Sequence, residues 1–340
     1  MVFSHTWELT SIMQAIEYQH QICRICGFSG DSPVYSVREM MYGLRDEFCY
    51  FQCAKCQCLQ ISQFPSDMSP YYQQDYYSLS QSPENLYSNF FETWARRNRD
   101  RYAVLKKGNF GRFINLLHPA ESDMACLSRA NLNRKSRIVD VGCGTGFLLY
   151  FLKEAGFGNV LGVEPHIETD MNYPNGLTIR KAWVHEVHEE QDLFMFHHSF
   201  EHLPNPIETL ETVYRLLPSG GMCMIRIPLV SSEAWEKYGT DWVQLDAPRH
   251  FFIYSLDSLN ILAEKTKFKI KEITYDSDEF QFWGSQQYLN EIPLMAENSY
   301  GKNPAKSIFS QEEIKNFKAM ARELNDSSRG DQAAVFLVKN

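Results

Sequence analysis

Short apolar runs rich in β-branched residues recur along the last two-thirds of the chain, each bounded by glycine, proline or charge. Residues 137–141, 159–164, 193–198, 221–228, 269–275 and 332–339 have the length and composition of buried strands. Between them, residues 147–155, 206–217 and 256–265 carry apolar side chains at three- and four-residue spacing, the stripe of a helix packed on one face. Strands alternating with helices predict an α/β fold, a doubly wound sheet whose parallel strands are joined by crossover helices. The stretch 276–329 is long for a connection. Within an insertion over about 278–329, residues 311–324 predict a helix that roofs a pocket.

Upstream the pattern changes twice. Residues 1–65 hold six of the nine cysteines and predict a small metal-binding module. Residues 66–134 open on tyrosines (Tyr71, Tyr72, Tyr76, Tyr77) and continue into polar helical sequence, a helical linker or lid. Residues 135–340 form the α/β core. A length of 340 residues with 44% hydrophobic, 22% charged and 14% aromatic side chains describes a folded chain of about two domains. Net charge is −9, which opposes tight binding to polyanions such as nucleic acid or an anionic membrane. The charge is uneven: residues 96–137 hold eleven Arg or Lys against Asp100, Glu121 and Asp123, a balance of +8 that leaves −17 elsewhere. No apolar stretch approaches the ~20 residues of a membrane-spanning helix. The first 21 residues interleave His5, Glu8, Glu17 and His20 with apolar ones, unlike a secretory signal. The expected location is the cytoplasm, where thiols stay reduced and paired cysteines hold metals more often than they form disulfides.

Cys23-x-x-Cys26 and Cys53-x-x-Cys56 are two knuckles separated by 26 residues. Four thiolates so paired make a closed tetrahedral zinc cage, and a module this small has little core without its metal. The expected metal is structural zinc, with no open position for chemistry. Cys49 and Cys58 break the paired spacing and are left out of the ligand set.

The run 137–141 passes directly into Gly142-Cys143-Gly144-Thr145-Gly146 and then into Phe147-Leu148-Leu149. Glycine at every second position allows a sharp turn with positive φ and close approach of a ligand, at the carboxyl end of a strand where open α/β sheets bind ligands. The spacing is not the Gly-x-Gly-x-x-Gly of dinucleotide sites, and no Gly-Lys-Ser/Thr follows for triphosphates. Eighteen residues after Gly146 the next strand ends in Glu164, whose carboxylate suits the paired hydroxyls of a ribose. Strand, triple glycine, helix, strand and acid together resemble the motif of class I S-adenosylmethionine-dependent methyltransferases over about residues 135–340. The resemblance implies a Rossmann-like fold that holds S-adenosylmethionine at Asp140, Gly142, Cys143, Gly144, Gly146, Glu164, Pro165 and His197.

The fourth strand runs into His197-His198-Ser199-Phe200-Glu201-His202-Leu203-Pro204. In the resembled family this strand end faces the methyl group and the acceptor, and a Glu-His-Leu-Pro segment is common there. Histidine suits removal of a proton from an acceptor at neutral pH. His202 and His198 are the leading base candidates, with Glu201 beside them. A competing reading is a metal site, since His198, Glu201 and His202 would share one face of a helix; a third is that His202 merely ties the loop to backbone. The segment 242–252, with Arg249 and His250, resembles one found in methyltransferases of polysaccharide and sugar-nucleotide pathways, which adds His250 as a catalytic candidate. A zinc-ribbon-like module ahead of a class I core is similar to the sugar C-methyltransferases, a resemblance that places Tyr76 near the acceptor. The expected activity is methyl transfer to a nucleotide sugar or polysaccharide precursor, on oxygen or carbon. The alternatives are an RNA methyltransferase, disfavoured by the net charge, and a binding protein that keeps S-adenosylmethionine without transferring its methyl.

Overall fold

In a computed structural model, residues 17–72, 83 and 89–340 are described. Two sheets organise them. The first is antiparallel, with β1 (Tyr18–Ile22), β2 (Ser29–Arg38), β3 (Glu47–Gln52) and β4 (Leu59–Ile61) in spatial order. Its fifth member comes from far along the chain: β11 (Phe252–Ile253) pairs with β4, Phe252 opposite Gln60 and Ile253 opposite Leu59.

The second sheet has eight strands: β5 (Arg137–Val141), β6 (Asn159–Val163), β7 (Met171–Asn172), β8 (Thr178–Arg180), β9 (Leu193–His197), β10 (Met222–Pro228), β12 (Phe268–Tyr275) and β13 (Gln332–Lys339). Their order is β12-β13-β10-β9-β5-β6-β8-β7. The central strands β10, β9, β5 and β6 are parallel, as expected, and β8, too short for the apolar pattern to mark, continues them. β13 instead lies antiparallel between β10 and β12. A buried apolar run has the same composition in either direction, so its pattern carries no information about polarity.

Helices cover both faces, and the period of two along each strand sorts the side chains between them. Ile138, Val160, Leu193, Met195, Met222, Met224 and Phe336 pack on one side with α1 (Phe90–Leu105), α3 (Ser122–Cys126) and α4 (Phe147–Glu154). Here α2 (Asn109–Leu117) packs back on α1, Trp94 against Phe110 at 4.5 Å. Val139, Val141, Phe194, Phe196, Ile225 and Val335 face the other way, onto α5 (Pro206–Leu216) and α7 (Leu256–Lys265). That core is continuous with Cys23, Ile25, Phe51, Cys53 and Cys56 of the first sheet. α6 (Glu233–Tyr238), α8 (Phe280–Leu289) and α9 (Gln311–Asp326) complete the chain. The inserted helix α9 buries Ile314 and Phe317, the latter stacked on Phe282 of α8 and edge-on to Phe309, in the same core cluster as Tyr35, Tyr50, Trp235 and Trp242. No helix among the described residues is long and apolar enough to cross a membrane.

Candidate active site and metal centre

The strand β5 ends in the glycine turn. Gly142, Gly144 and Gly146 have φ of +72°, +54° and +76°, the left-handed region that side chains disfavour. A Cβ at Gly142 would stand 2.6 Å from Ser199 Cβ, and one at Gly146 would stand 2.4 Å from Ile179 Cδ1. The glycines thus serve the fold's own close packing as well as the turn. Gly162 in β6 is a further requirement the strand pattern hides: its Cβ would meet Ile179 and the Cys143 sulfur at 2.4 and 2.5 Å.

Glu164 closes over this turn. Its Oε2 accepts from the Gly144 amide and its Oε1 from the His166 amide, each at 3.0 Å. A carboxylate offers about four acceptor positions, so each oxygen keeps a lone pair for a hydroxyl. Around it lie polar groups without partners among the described residues: Asp140 Oδ1 and both ring nitrogens of His197. Burial raises the Asp140 carboxyl well above its ordinary range, helped by Asp123 and Glu164. Burial lowers His197, as do the neighbouring Arg226 and His198, which keeps the ring neutral. Cys143 and Pro165 are half-buried beside the turn, and burial pushes the Cys143 thiol up. Unsatisfied buried groups are costly unless something else meets them. A turn with paired acceptors and orphaned polar atoms at parallel strand ends fits an adenosyl ligand.

The chain leaves β9 through His198, held at φ +49°, and makes one 3-10 turn over Phe200–His202. That geometry separates the three histidines by role. His198 Nε2 accepts from Arg226 Nη1 at 2.9 Å, and Arg226 donates from Nε to Asp276 Oδ2 at 2.7 Å. A guanidinium only donates, so His198 has its accepting nitrogen occupied and carries hydrogen on Nδ1, 3.5 Å from Glu201 Oε1. His202 donates from Nδ1 to the Arg249 carbonyl at 2.8 Å, with the Tyr72 hydroxyl 3.5 Å away. His250 donates from Nδ1 to the Gln244 carbonyl at 2.8 Å. In both rings the carbonyl accepts the Nδ1 hydrogen and so fixes the tautomer, leaving Nε2 as the nitrogen not tied to backbone; that of His250 lies between the carboxylates of Glu201 and Asp246. The rings meet edge to face at 4.7 Å. Burial and the neighbouring His250 push His202 below its usual value, so it stands neutral at pH 7.

Glu201 lies between them, fully buried, with its Oε1 3.8 Å from His250 Nε2. The nearest donor to its oxygens among the described residues is His198 Nδ1, 3.5 Å from Oε1, at the outer limit of a hydrogen bond. Burial raises its carboxyl, but the neighbouring His198, His250 and His202 outweigh burial and hold it below the usual range. Asp246 Oδ2 lies 3.9 Å from His250 Nε2 on the other side. Arg249, weighed from sequence as a contact for the acceptor, is fully buried and saturated: it binds Asp246 at 2.9 Å, Glu39 Oε1 at 3.0 Å and the Tyr71 carbonyl at 3.0 Å. Tyr76 lies outside the described residues. Glu39, Asp246 and Arg226 are the site residues that sequence reasoning missed; only the Asp246/Arg249 spacing offered a local hint.

The basic zone is largely engaged within the fold. Arg97 pairs with Glu154, Arg99 with Asp100 at 2.8 Å, and Arg101 caps the end of α4 through the Ala155 carbonyl at 2.8 Å.

The four knuckle cysteines converge. Their sulfurs all lie within 4.8 Å of one another, with Cys23–Cys56 and Cys26–Cys53 at 3.6 Å. Tetrahedral coordination at a metal–sulfur distance of ~2.3 Å requires sulfurs about 3.8 Å apart. Backbone amides of Ile25 and Cys26 point at the Cys23 sulfur, and Gln60 Nε2 donates to it at 2.9 Å. A hydrogen bond from Cys56 is the main cause that takes the Cys23 thiol down to about 4. The four residues could hold one metal ion. Cys58 is buried beside them and Cys49 is exposed, and neither joins the cluster.

Comparison with known proteins follows this geometry. Residues 117–273 match the family model of a methyltransferase domain. No curated protein sequence matches the chain. Among solved structures, an S-adenosylmethionine-dependent methyltransferase from Mesorhizobium loti is 18% identical, covering 63% of this chain and 97% of its own, with a TM-score of 0.41. One from Archaeoglobus fulgidus is 20% identical, covering 68% and 100%, with a TM-score of 0.41. The Haloferax volcanii complex of the Trm112 methyltransferase activator with a putative methyltransferase gives 16% identity, coverage of 73% and 95%, and a TM-score of 0.42.

Proposed function

We propose that this S-adenosylmethionine-dependent methyltransferase, of class I Rossmann-like fold, passes its methyl group to a carbohydrate-type acceptor, a nucleotide sugar or polysaccharide precursor. The donor would lie on Asp140, Gly142, Cys143, Gly144, Gly146 and Glu164, with Pro165 and His197 alongside. Its sulfonium is already activated, so transfer needs alignment with the acceptor and loss of one acceptor proton. The observation that carries the reading is the histidine pair: His202 and His250 each tether Nδ1 to a backbone carbonyl at 2.8 Å and leave Nε2 without a backbone partner. A neutral ring with a free lone pair takes a proton from a hydroxyl, giving a methyl ether, or from a carbon beside a ketone, giving a carbon-methylated sugar. Tyr76 would contact the acceptor.

Cys23, Cys26, Cys53 and Cys56 would bind structural zinc, which suits a reducing cytoplasmic setting. The metal would hold the sheet whose edge carries the histidine loop, since Tyr50 donates to the His250 carbonyl at 2.7 Å and Ile61 to the Phe251 carbonyl at 3.0 Å. A small sugar acceptor, not RNA, is supported by the internal pairing of Arg97, Arg99 and Arg101. Methyl-labelled S-adenosylmethionine offered with separate pools of nucleotide sugars, polysaccharide precursors and RNA tests this. Label in the carbohydrate pools is expected. Label only in RNA, or binding of the donor with no transfer, overturns the proposal.

A further inference from the structure

We infer that Glu201, His202 and His250 form a second metal site, one that takes a borderline first-row dication such as cobalt(II), zinc(II), iron(II) or manganese(II). One ligand atom from each lies within 4.8 Å of the others. The sequence brings Glu201 and His202 from the turn after β9, and His250 arrives from the loop before β11, so the trio exists only in the folded chain. His198, which the spacing had grouped with Glu201 and His202, is not one of the three, because Arg226 occupies its Nε2.

Three features point to a cation. First, both histidines are prepared as ligands are: a metal-binding imidazole typically donates its other N–H to a carbonyl or carboxylate, which fixes tautomer and ring direction. His202 does this to Arg249 and His250 to Gln244. Second, Glu201 is fully buried; its Oε1 has only His198 Nδ1 at 3.5 Å and His250 Nε2 at 3.8 Å near it, and its Oε2 has no partner among the described residues. A buried carboxylate so weakly met is costly, and a metal ion is the partner that would satisfy it alongside the two imidazole nitrogens. Third, charge is unbalanced. Arg249 is shared by Glu39 and Asp246, while Asp246 and Glu201 both face His250 Nε2, at 3.9 and 3.8 Å; three carboxylates and one guanidinium thus lie at or next to the trio, and two negative charges remain. A dication cancels that remainder.

Ligand distances of ~2.0–2.2 Å put donor atoms about 3.0–3.6 Å apart, so the 3.8 Å separation closes with a few tenths of an ångström of side-chain movement. Two nitrogens and one oxygen select against calcium and magnesium, which prefer oxygen, and against metals that demand thiolate. Three protein ligands leave coordination positions free, unlike the closed cysteine cage. Binding of the ion does not depend on the methyl-transfer reading; its use does. With the ion bound, His202 and His250 both serve as ligands instead of base, and a coordinated acceptor hydroxyl is made acidic by the cation and loses its proton to solvent.

The test uses the full chain purified with zinc in its cysteine cage. Cobalt(II) is titrated in without methyl donor or acceptor, and bound metal is counted by elemental analysis while the visible spectrum is recorded. One further equivalent is expected, with nitrogen- and oxygen-ligand bands and no new thiolate charge-transfer band. Glu201→Gln, which keeps the side-chain volume, should weaken this equivalent at least tenfold while far-UV circular dichroism stays unchanged. Absence of the added equivalent in the wild-type chain overturns the metal site. If methyl transfer proceeds in that metal-free state, the histidine-base reading survives while the ion does not. If cobalt binds and no carbohydrate is methylated, the ion stands and the proposed acceptor falls.

Discussion

Glu164→Gln is a small change with a large expected effect on donor binding. The two carboxylate oxygens each accept a backbone N–H at 3.0 Å, from Gly144 and His166. Glutamine has one oxygen and one NH2, so whichever way it turns, a donor faces a donor and one backbone N–H loses its partner in a site where Glu164 is 5% exposed. Leaving such a group unsatisfied costs about 1–3 kcal/mol. The ribose loses one charge-assisted bond as well, about another 1.5 kcal/mol. Part of the first cost falls on the free protein and does not appear in binding, so the expected loss of affinity is about 1.5–3 kcal/mol, or roughly 10- to 100-fold in Kd. Isothermal titration calorimetry with S-adenosylmethionine measures it, with S-adenosylhomocysteine as a second ligand sharing the same ribose. Equal loss for both is expected, because the sulfonium is remote from Glu164. Unchanged Kd for both ligands in a folded variant would refute the assignment of this carboxylate to the ribose.

Other outcomes follow from the same geometry. His202→Ala and His250→Ala should each lower turnover much more than donor affinity, read from single-turnover rates beside calorimetry; equal turnover in both variants removes them from the reaction. Arg249→Met should destabilise the chain by about 3–5 kcal/mol, because Glu39 and Asp246 are left as buried charges without a counterion; urea unfolding measures this, and a loss under 1 kcal/mol would contradict it. Burial raises Asp331 to about 6 from an ordinary 3.8, against hydrogen bonds from Trp242 and Gln244. A carboxyl with a raised native value binds more protons folded than unfolded between about pH 4 and 6, so stability falls as pH rises through that window, by about 3 kcal/mol, and is level above it. Asp331→Asn should flatten this slope in urea titrations at pH 4.5 and 7. If the four cysteines hold the proposed zinc, its chelation should lower turnover and cooperative unfolding together, since β11 continues from the loop that holds His250.

The parallel strands, the glycine turn and Glu164 were legible because each depends on neighbours a few residues away: a buried run, positive φ and the end of the next strand. The cysteine knuckles were legible for the same reason, and their convergence needed only a hairpin on each side. What escaped was long-range. β11 is two residues long and its partner lies about 190 positions earlier, so no periodicity marks it. Glu39 reads as one more surface acid until the fold brings Arg249 to it. The histidines looked equivalent as letters, and their roles separate only through a guanidinium on His198 and carbonyls on His202 and His250. The polarity of β13 was equally hidden, since Ala333, Val335 and Leu337 pack the same face whichever way the strand runs.

The borrowed edge of the amino-terminal sheet has a practical corollary for recombination. A chimera that exchanges residues 17–65 with those of a relative would import a surface shaped for a different loop, with Tyr50 and Glu39 no longer matched to their distant companions. A viable crossover has to bring residues 242–253 along with the cysteines. The heritable unit is therefore split in the gene though contiguous in space, and relatives should exchange the two segments jointly or not at all.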